Sequence, residues 1–215
     1  EIYTLSLHDA LPISIYNYTY SSGERVGTDG IVINKDITID GDGHTIDGAN
    51  IASIFRITDN ANVVLKNIIF CNAQGTNGSA ISLTANENVL IINSQFINNS
   101  AVNGGAIYIA SADTSSLTFS LTIVGSTFIN NRAENGGAIF LYKNDNGFIN
   151  ITDCVFDSNI ATENYRNIYF ISPTREANFE HNEFDLNLKI TPKDGIYGQE
   201  YILEGDFDWG CNLNN

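Results

Sequence analysis

Apolar residues along this chain come in pairs that skip one position. The first kind of pair is Ile31/Ile33, Phe55/Ile57, Ile81/Leu83, Ile107/Ile109, Ile139/Leu141 and Ile168/Phe170. The second is Ile37/Ile39, Val63/Leu65, Val89/Ile91, Leu121/Ile123, Ile149/Ile151 and a weaker Ala177/Phe179. A single large residue follows each second pair, at Ile46, Phe70, Phe96, Phe128, Phe156 and Phe184. A period of two sets both members of a pair on one face of a strand, whereas a helix needs spacings of three and four. Successive copies lie 24 to 32 residues apart, and the added length falls between the pairs, where loops belong.

Two copies are nearly identical. Phe96-Ile97-Asn98-Asn99 with Gly104-Gly105-Ala106-Ile107 returns 32 residues later as Phe128-Ile129-Asn130-Asn131 with Gly136-Gly137-Ala138-Ile139. A repeat of this length is the mark of a stacked architecture. Three short strands with one apolar face each cannot bury that face within a single turn of chain, so one repeat alone does not fold. Stacking pairs each strand with its equivalents above and below and joins the apolar faces into one core. The expected fold is therefore all-β, a right-handed parallel β-helix of about six coils with three short strands per coil, spaced roughly 4.8 Å apart.

The corners carry their own chemistry. Asn99, Asn131, Asn159 and Asn187 each stand three residues after the large anchor, where an inward amide can bond a corner's backbone and its own equivalent one coil away. Ser94, Ser126 and Cys154 stand two before it, on the same inner face, where little room is expected. Gly104, Gly105, Gly136 and Gly137 are read as positive-φ corner residues, with Ser79 and Asn167 replacing the second glycine in neighbouring coils.

The pairing of FxxN with GGAI resembles the repeats of polymorphic outer-membrane autotransporters. It resembles more closely those of the adhesin-like surface proteins of methanogenic archaea, in which a run similar to Gly30-Ile31-Val32-Ile33-Asn34-Lys35 … Thr38-Ile39-Asp40-Gly41-Asp42-Gly43-His44-Thr45-Ile46-Asp47-Gly48 opens the helix. Trp209-Gly210-Cys211-Asn212 is similar to the turn that closes a block of such coils. The resemblance spans about residues 15–215. It implies a parallel β-helix displayed extracellularly at the cell surface, and it brings no catalytic residue with it.

Residues 1–14 stand outside the scheme. Ser6-Leu7-His8-Asp9-Ala10-Leu11-Pro12-Ile13-Ser14 resembles the string that translated sequencing adaptor leaves at the edges of environmental gene fragments. The segment is read as a non-native or unstructured leader, with a native cap on the first coil as the alternative, and residues 15–215 as one β-helix domain within a longer protein. It lacks the basic region and long apolar core of a signal peptide. The chain has no methionine, so its true start is expected upstream.

Charge narrows the partners. A formal net charge of -15 disfavours nucleic acid and anionic membrane. No apolar run is long enough to cross a bilayer as a helix. Three cysteines, Cys71, Cys154 and Cys211, make no even disulfide framework, and no Cys or His spacing supports a metal site. Neither metal nor cofactor is expected. Cys154 is read as a buried thiol in the small inner slot, Cys71 as outward. Sequons at Asn17, Asn77 and Asn98 are candidate N-glycosylation sites, while Asn150, within a strand, is a poorer acceptor.

Parallel β-helices also carry polysaccharide lyases and glycosidases, which gather carboxylates beside a basic residue or set them as an acid–base pair. The candidates are Asp153, Asp157, Glu180, Glu183 and Asp185 near Arg166, Arg175 or Lys189; the competing reading is a solvated acidic face. Whether Asp153, Asp157, Glu183 and Asp185 bind a cation is open. Asp40, Asp42 and Asp47 alternate with Gly41, Gly43 and Gly48 and read first as turn chemistry, and His44 as a packed corner residue.

Recognition has a better candidate. The outward position of the first strand is Arg56, Ser82, Tyr108, Phe140 and Tyr169 in successive coils, with Tyr142 close by. A row of exposed aromatics can stack on sugars or anchor a protein partner. The alternative is that the longer loops, 110–120 and 143–147, fold over the row. The sequence thus reads as a non-enzymatic, adhesin-like β-helix that binds a cell-surface glycan or protein through Tyr108, Phe140, Tyr142 and Tyr169, with a β-helix polysaccharide lyase or glycoside hydrolase as the alternative.

Overall fold

The computed structural model describes residues 3–6, 16–17, 30–83, 87–110, 119–142, 147–171, 179–184 and 200–203. Two short strands come first, β1 (Tyr3–Ser6) and β2 (Tyr16–Asn17). Five complete turns follow. They are β3 (Ile31–Ile33), β4 (Ile37–Asp40) and β5 (Thr45–Asp47); β6 (Phe55–Ile57), β7 (Asn62–Lys66) and β8 (Ile69–Cys71); and β9 (Ile81–Leu83), β10 (Asn88–Ile92) and β11 (Gln95–Ile97). Then come β12 (Ile107–Ala110), β13 (Ser120–Val124) and β14 (Thr127–Ile129), and, after β15 (Arg132–Asn135), β16 (Ile139–Tyr142), β17 (Phe148–Thr152) and β18 (Val155–Asp157). The chain continues through β19 (Ile160–Asn164), β20 (Ile168–Ile171), β21 (Glu183–Phe184) and β22 (Glu200–Leu203).

These strands form a parallel β-solenoid of about five turns with no helix among the described residues. One sheet runs β1-β4-β7-β10-β13-β17, a second β2-β5-β8-β11-β14-β18-β21, and a third β22-β20-β16-β12-β9-β6-β3. Tyr3–Ser6, inside the segment read as leader, lies beside β4; residues 7–14 fall outside the described ones. Among the described residues the one antiparallel neighbour is β22, which pairs with β20.

Register follows the apolar pairs. Phe55, Ile81, Ile107, Ile139 and Ile168 are successive partners in the third sheet, and Val63, Val89, Leu121 and Ile149 in the first. A slip of one residue would turn each of these anchors outward, which is why the apolar face fixes the alignment so firmly. Phe70, Phe96, Phe128, Phe156 and Phe184 form a continuous interior stack with centroids 5.0, 4.7, 4.8 and 5.1 Å apart. Ile31, the first member of its column, is 58% exposed because β3 ends its sheet. Phe179 is buried and packs on Phe170 at 5.7 Å, while its expected partner Ala177 lies outside the described residues, as do Asn187, Cys211 and Trp209.

The inward amides form the expected ladder. The backbone N–H and the side-chain Nδ2 of Asn99 both donate to Asn131 Oδ1, at 3.1 and 3.0 Å. Asn131 repeats the pattern onto Asn159 Oδ1 at 2.9 and 3.0 Å. Each Nδ2 also donates to the carbonyl of a phenylalanine anchor, Phe70, Phe96 or Phe128. The small slot behaves likewise, with the Ser94 N–H donating to Ser126 Oγ at 3.1 Å and the Cys154 N–H to Asn182 Oδ1 at 2.9 Å.

Two corner expectations need correction. Only Gly104 and Gly136 of the four corner glycines have positive φ, +60° and +62°. Gly105 and Gly137 are held to glycine by crowding, since a Cβ there would sit 2.1 Å from the carbonyl oxygens of Gly137 and Arg166. Ser79 does replace the second glycine and donates its hydroxyl to Gly105 O at 2.6 Å. Asn167, however, takes the alanine slot, because Ile168 pairs with Ile139 and the Ala138 N–H donates to Asn167 O. Tyr165 therefore occupies the positive-φ glycine position, at +50°. Finally, β15 and β19 add a short fourth ladder beyond the asparagine corner, continued by bridges through Gln74, Ser100 and Arg132.

Candidate functional site

The outward side chains of the third sheet meet across the strands. Arg56, Ser82, Tyr108, Phe140 and Tyr169 are consecutive register partners. Tyr108, Phe140 and Tyr169 are half-buried, and Tyr142, two residues along the same face from Phe140, is 38% exposed. The Tyr108 and Phe140 rings stack at 5.2 Å and 18°, so each covers one face of the other. Phe140 meets Tyr169 at 5.1 Å and 89°, edge to face. Partial burial among rings raises the Tyr108 hydroxyl above the ordinary phenol range. It stays a neutral donor and acceptor at physiological pH.

A fourth aromatic extends the row, one the apolar pairs did not reveal. Tyr165 lies 4.8 Å from Tyr169 and is 9% exposed. A bulky side chain at positive φ is a backbone outlier costing roughly 1–3 kcal/mol. The signal lay in the alignment, where Tyr165 stands in the column of Gly78, Gly104 and Gly136. The loops that would cover the row, 111–118 and 143–146, lie outside the described residues.

Of the acidic candidates, Asp153 and Glu180 lie on adjacent coils, the Asp153 N–H donating to Glu180 O at 3.1 Å. Asp153 is exposed and lies 3.7 Å from His181 Nδ1, and Asp157 accepts from Ser158 Oγ at 2.9 Å. Glu183 pairs in register with Val155 rather than with a carboxylate. Asp185, Arg175 and Lys189 fall outside the described residues. Among the described residues no three of His, Cys, Asp and Glu come together as metal ligands.

The first coil's carboxylates serve its turns. Asp40 accepts from Asn67 Nδ2 at 2.9 Å and from the Asp42 N–H at 3.2 Å, and pairs with Lys66 Nζ at 3.0 Å. Those contacts, led by Asn67, pull its carboxyl down to about 2. Asp47 accepts from the Ala49 N–H at 2.8 Å, and His44 Nδ1 contacts Gly41 O at 2.8 Å. Cys154 is fully buried and its thiol is pushed up to about 12 by that burial. Half-buried Cys71 points outward beside Asp47, and burial followed by that carboxylate raises it to about 11. Both are poor nucleophiles, since it is the thiolate that reacts.

Of the sequons, Asn98 is exposed at a positive-φ corner. Asn77 is exposed too, but its Oδ1 accepts from Asn103 Nδ2 and the hydroxyl of Ser79 is buried. The side chain of Asn17 falls outside the described residues.

The Chlamydia polymorphic membrane protein (Chlamydia_PMP) repeat matches the chain twice, at residues 93–110 and 125–142. Each match runs from the turn before β11 or β14 through the asparagine corner to the end of β12 or β16. Repeat and solenoid together fit a polymorphic-autotransporter-like, surface-type repeat protein. No curated protein and no solved structure matches the chain.

Proposed function

We propose that this solenoid is a cell-surface, adhesin-like and non-enzymatic binding element that holds its partner on the outer face of the third sheet. The observation that carries the reading is the aromatic row Tyr108–Phe140–Tyr169, continued by Tyr165 and flanked by Tyr142. Tyrosine is a favoured anchor at interfaces because it contributes large area with few rotatable bonds and keeps a polar tip. Stacking of Tyr108 on Phe140 and the edge-to-face contact of Phe140 with Tyr169 cover part of the ring faces that a sugar would need, which favours a protein partner over a glycan on this sheet. The likeness of the first coil to archaeal adhesin-like proteins rests on Gly30 to Gly48, outside the two matched segments.

The test is a Tyr108→Ser/Tyr169→Ser variant, with retention of the purified chain measured on immobilised cell-envelope proteins and on a glycan array. Retention is expected to fall at least tenfold while the far-ultraviolet spectrum stays that of β-structure, and an Asp153→Asn/Asp157→Asn variant is expected to bind like the parent. Undiminished retention in the tyrosine variant sinks the proposal. So does polysaccharide cleavage that the aspartate variant loses.

A further inference from the structure

The first coil turns differently from all the others. Four residues separate Asp40 from Thr45, whereas only two separate Lys66 from Ile69, although the flanking residues are register partners. The corresponding steps at Ile92–Gln95, Val124–Thr127 and Thr152–Val155 also have two. The two additional residues push Asp42 and Gly43 outward as a lip, both of them exposed, with φ of +48° and +79°. Beneath the lip lies a groove of about 420 Å³ at the corner between the first and second sheets, lined by Asn67, Ile68 and Ile69 of the second coil and Asn93 and Gln95 of the third.

The lining is amide-rich, with half-buried Ile69 as its apolar part. Asn67 is held in place, because its Nδ2 donates to the Asp40 carboxylate that Lys66 also grips. Asn93 lies over Gly125, where an added Cβ would come 2.6 Å from Asn93 Oδ1, so the missing side chain one coil on makes room for that amide. Asn93 and Gln95 are exposed, and each amide both donates and accepts. Such a set matches hydroxyls, which also do both, while half-buried Ile69 offers an apolar edge to a C–H face. The Asp42 carboxylate on the lip and the net charge of -15 turn away polyanions. The volume falls within the roughly 300–1,000 Å³ of small-ligand sites.

We propose that this groove binds a neutral sugar ring, as a second recognition site distinct from the aromatic row. It lies in coils one to three at the corner facing away from the third sheet, whereas the row lies in coils four to six. The two sites are separable by mutation.

Saturation-transfer NMR on the full chain with glucose, galactose, mannose and N-acetylglucosamine tests it. At least one of the four is expected to receive saturation. Its affinity is expected to fall at least tenfold in Asn93→Ala/Gln95→Ala, which alters exposed side chains only, and in a variant lacking Asp42 and Gly43. Tyr108→Ser/Tyr169→Ser is expected to bind the sugar like the parent. No transfer to any of the four, or full binding by Asn93→Ala/Gln95→Ala, overturns the groove. Loss in the tyrosine variant alone does the same, and leaves the aromatic-row reading standing with a sugar as its ligand.

Discussion

At the scale of single residues, the doubled asparagine of each FINN corner divides two tasks between neighbours. Asn98 and Asn130 adopt positive φ, +57° and +55°, and turn the chain, while Asn99 and Asn131 are fully buried and feed the ladder. The ladder residue is the costlier to lose. Asn131→Ala removes the acceptor for two Asn99 donors and the donor to Phe96 O and Asn159 Oδ1. Each buried group left without a partner costs roughly 1–3 kcal/mol, so a total of about 3 kcal/mol or more is expected. Asn130→Ala places alanine at positive φ on the surface, for roughly 1–2 kcal/mol. Urea titration of both variants checks the order, and equal losses would show that the ladder adds nothing beyond the turn.

At the scale of strands, the inward and outward sets can be separated by one pair of variants. Phe128 is fully buried between Phe96 and Phe156, whose stacking keeps the surroundings from closing on a void. Phe128→Ala is expected to cost roughly 3–5 kcal/mol. Phe140 is half-buried on the outer sheet face, and Phe140→Ala is expected to cost far less in the same thermal or urea melt. Period-two alternation made those strands and their register legible, because a one-residue slip exposes every anchor at once. The fourth ladder was not legible. Arg132 to Asn135 shows no apolar alternation and is held chiefly by backbone bonds and by the Asn135 Nδ2 to Asn103 Oδ1 contact at 3.0 Å. The glycine roles were half legible, since composition marks a glycine but does not distinguish positive φ at Gly104 from crowding at Gly105. The aromatic row followed from the same alternation, whereas Tyr165 joined it only once its column was aligned, and a two-residue length difference in the first coil is invisible until coils are set in register.

At the scale of the whole molecule, a solenoid is a one-dimensional stack in which each turn contacts mainly its neighbours. Stability should therefore be greatest where a turn is covered on both sides and should fall towards the ends. Burial already follows that order: Leu121, Ile123, Phe128, Ile149 and Ile151 are 0% exposed in the middle, whereas Ile33, Ile39 and Phe184 retain 7–9% nearer the ends and Ile31 retains 58%. β13 is paired on both sides, with β10 and with β17, so opening it exposes core towards two neighbours. Native-state hydrogen exchange is expected to show the slowest amides in β10, β13 and β16, faster ones in β6 and β20, and the fastest in β3 and β21. A protein folding as one indivisible unit would instead give a single opening free energy for all core amides. Such uniform protection would mean that the Phe and Asn columns couple the coils more tightly than nearest-neighbour stacking requires, and that Phe128→Ala should loosen β3 as much as β13.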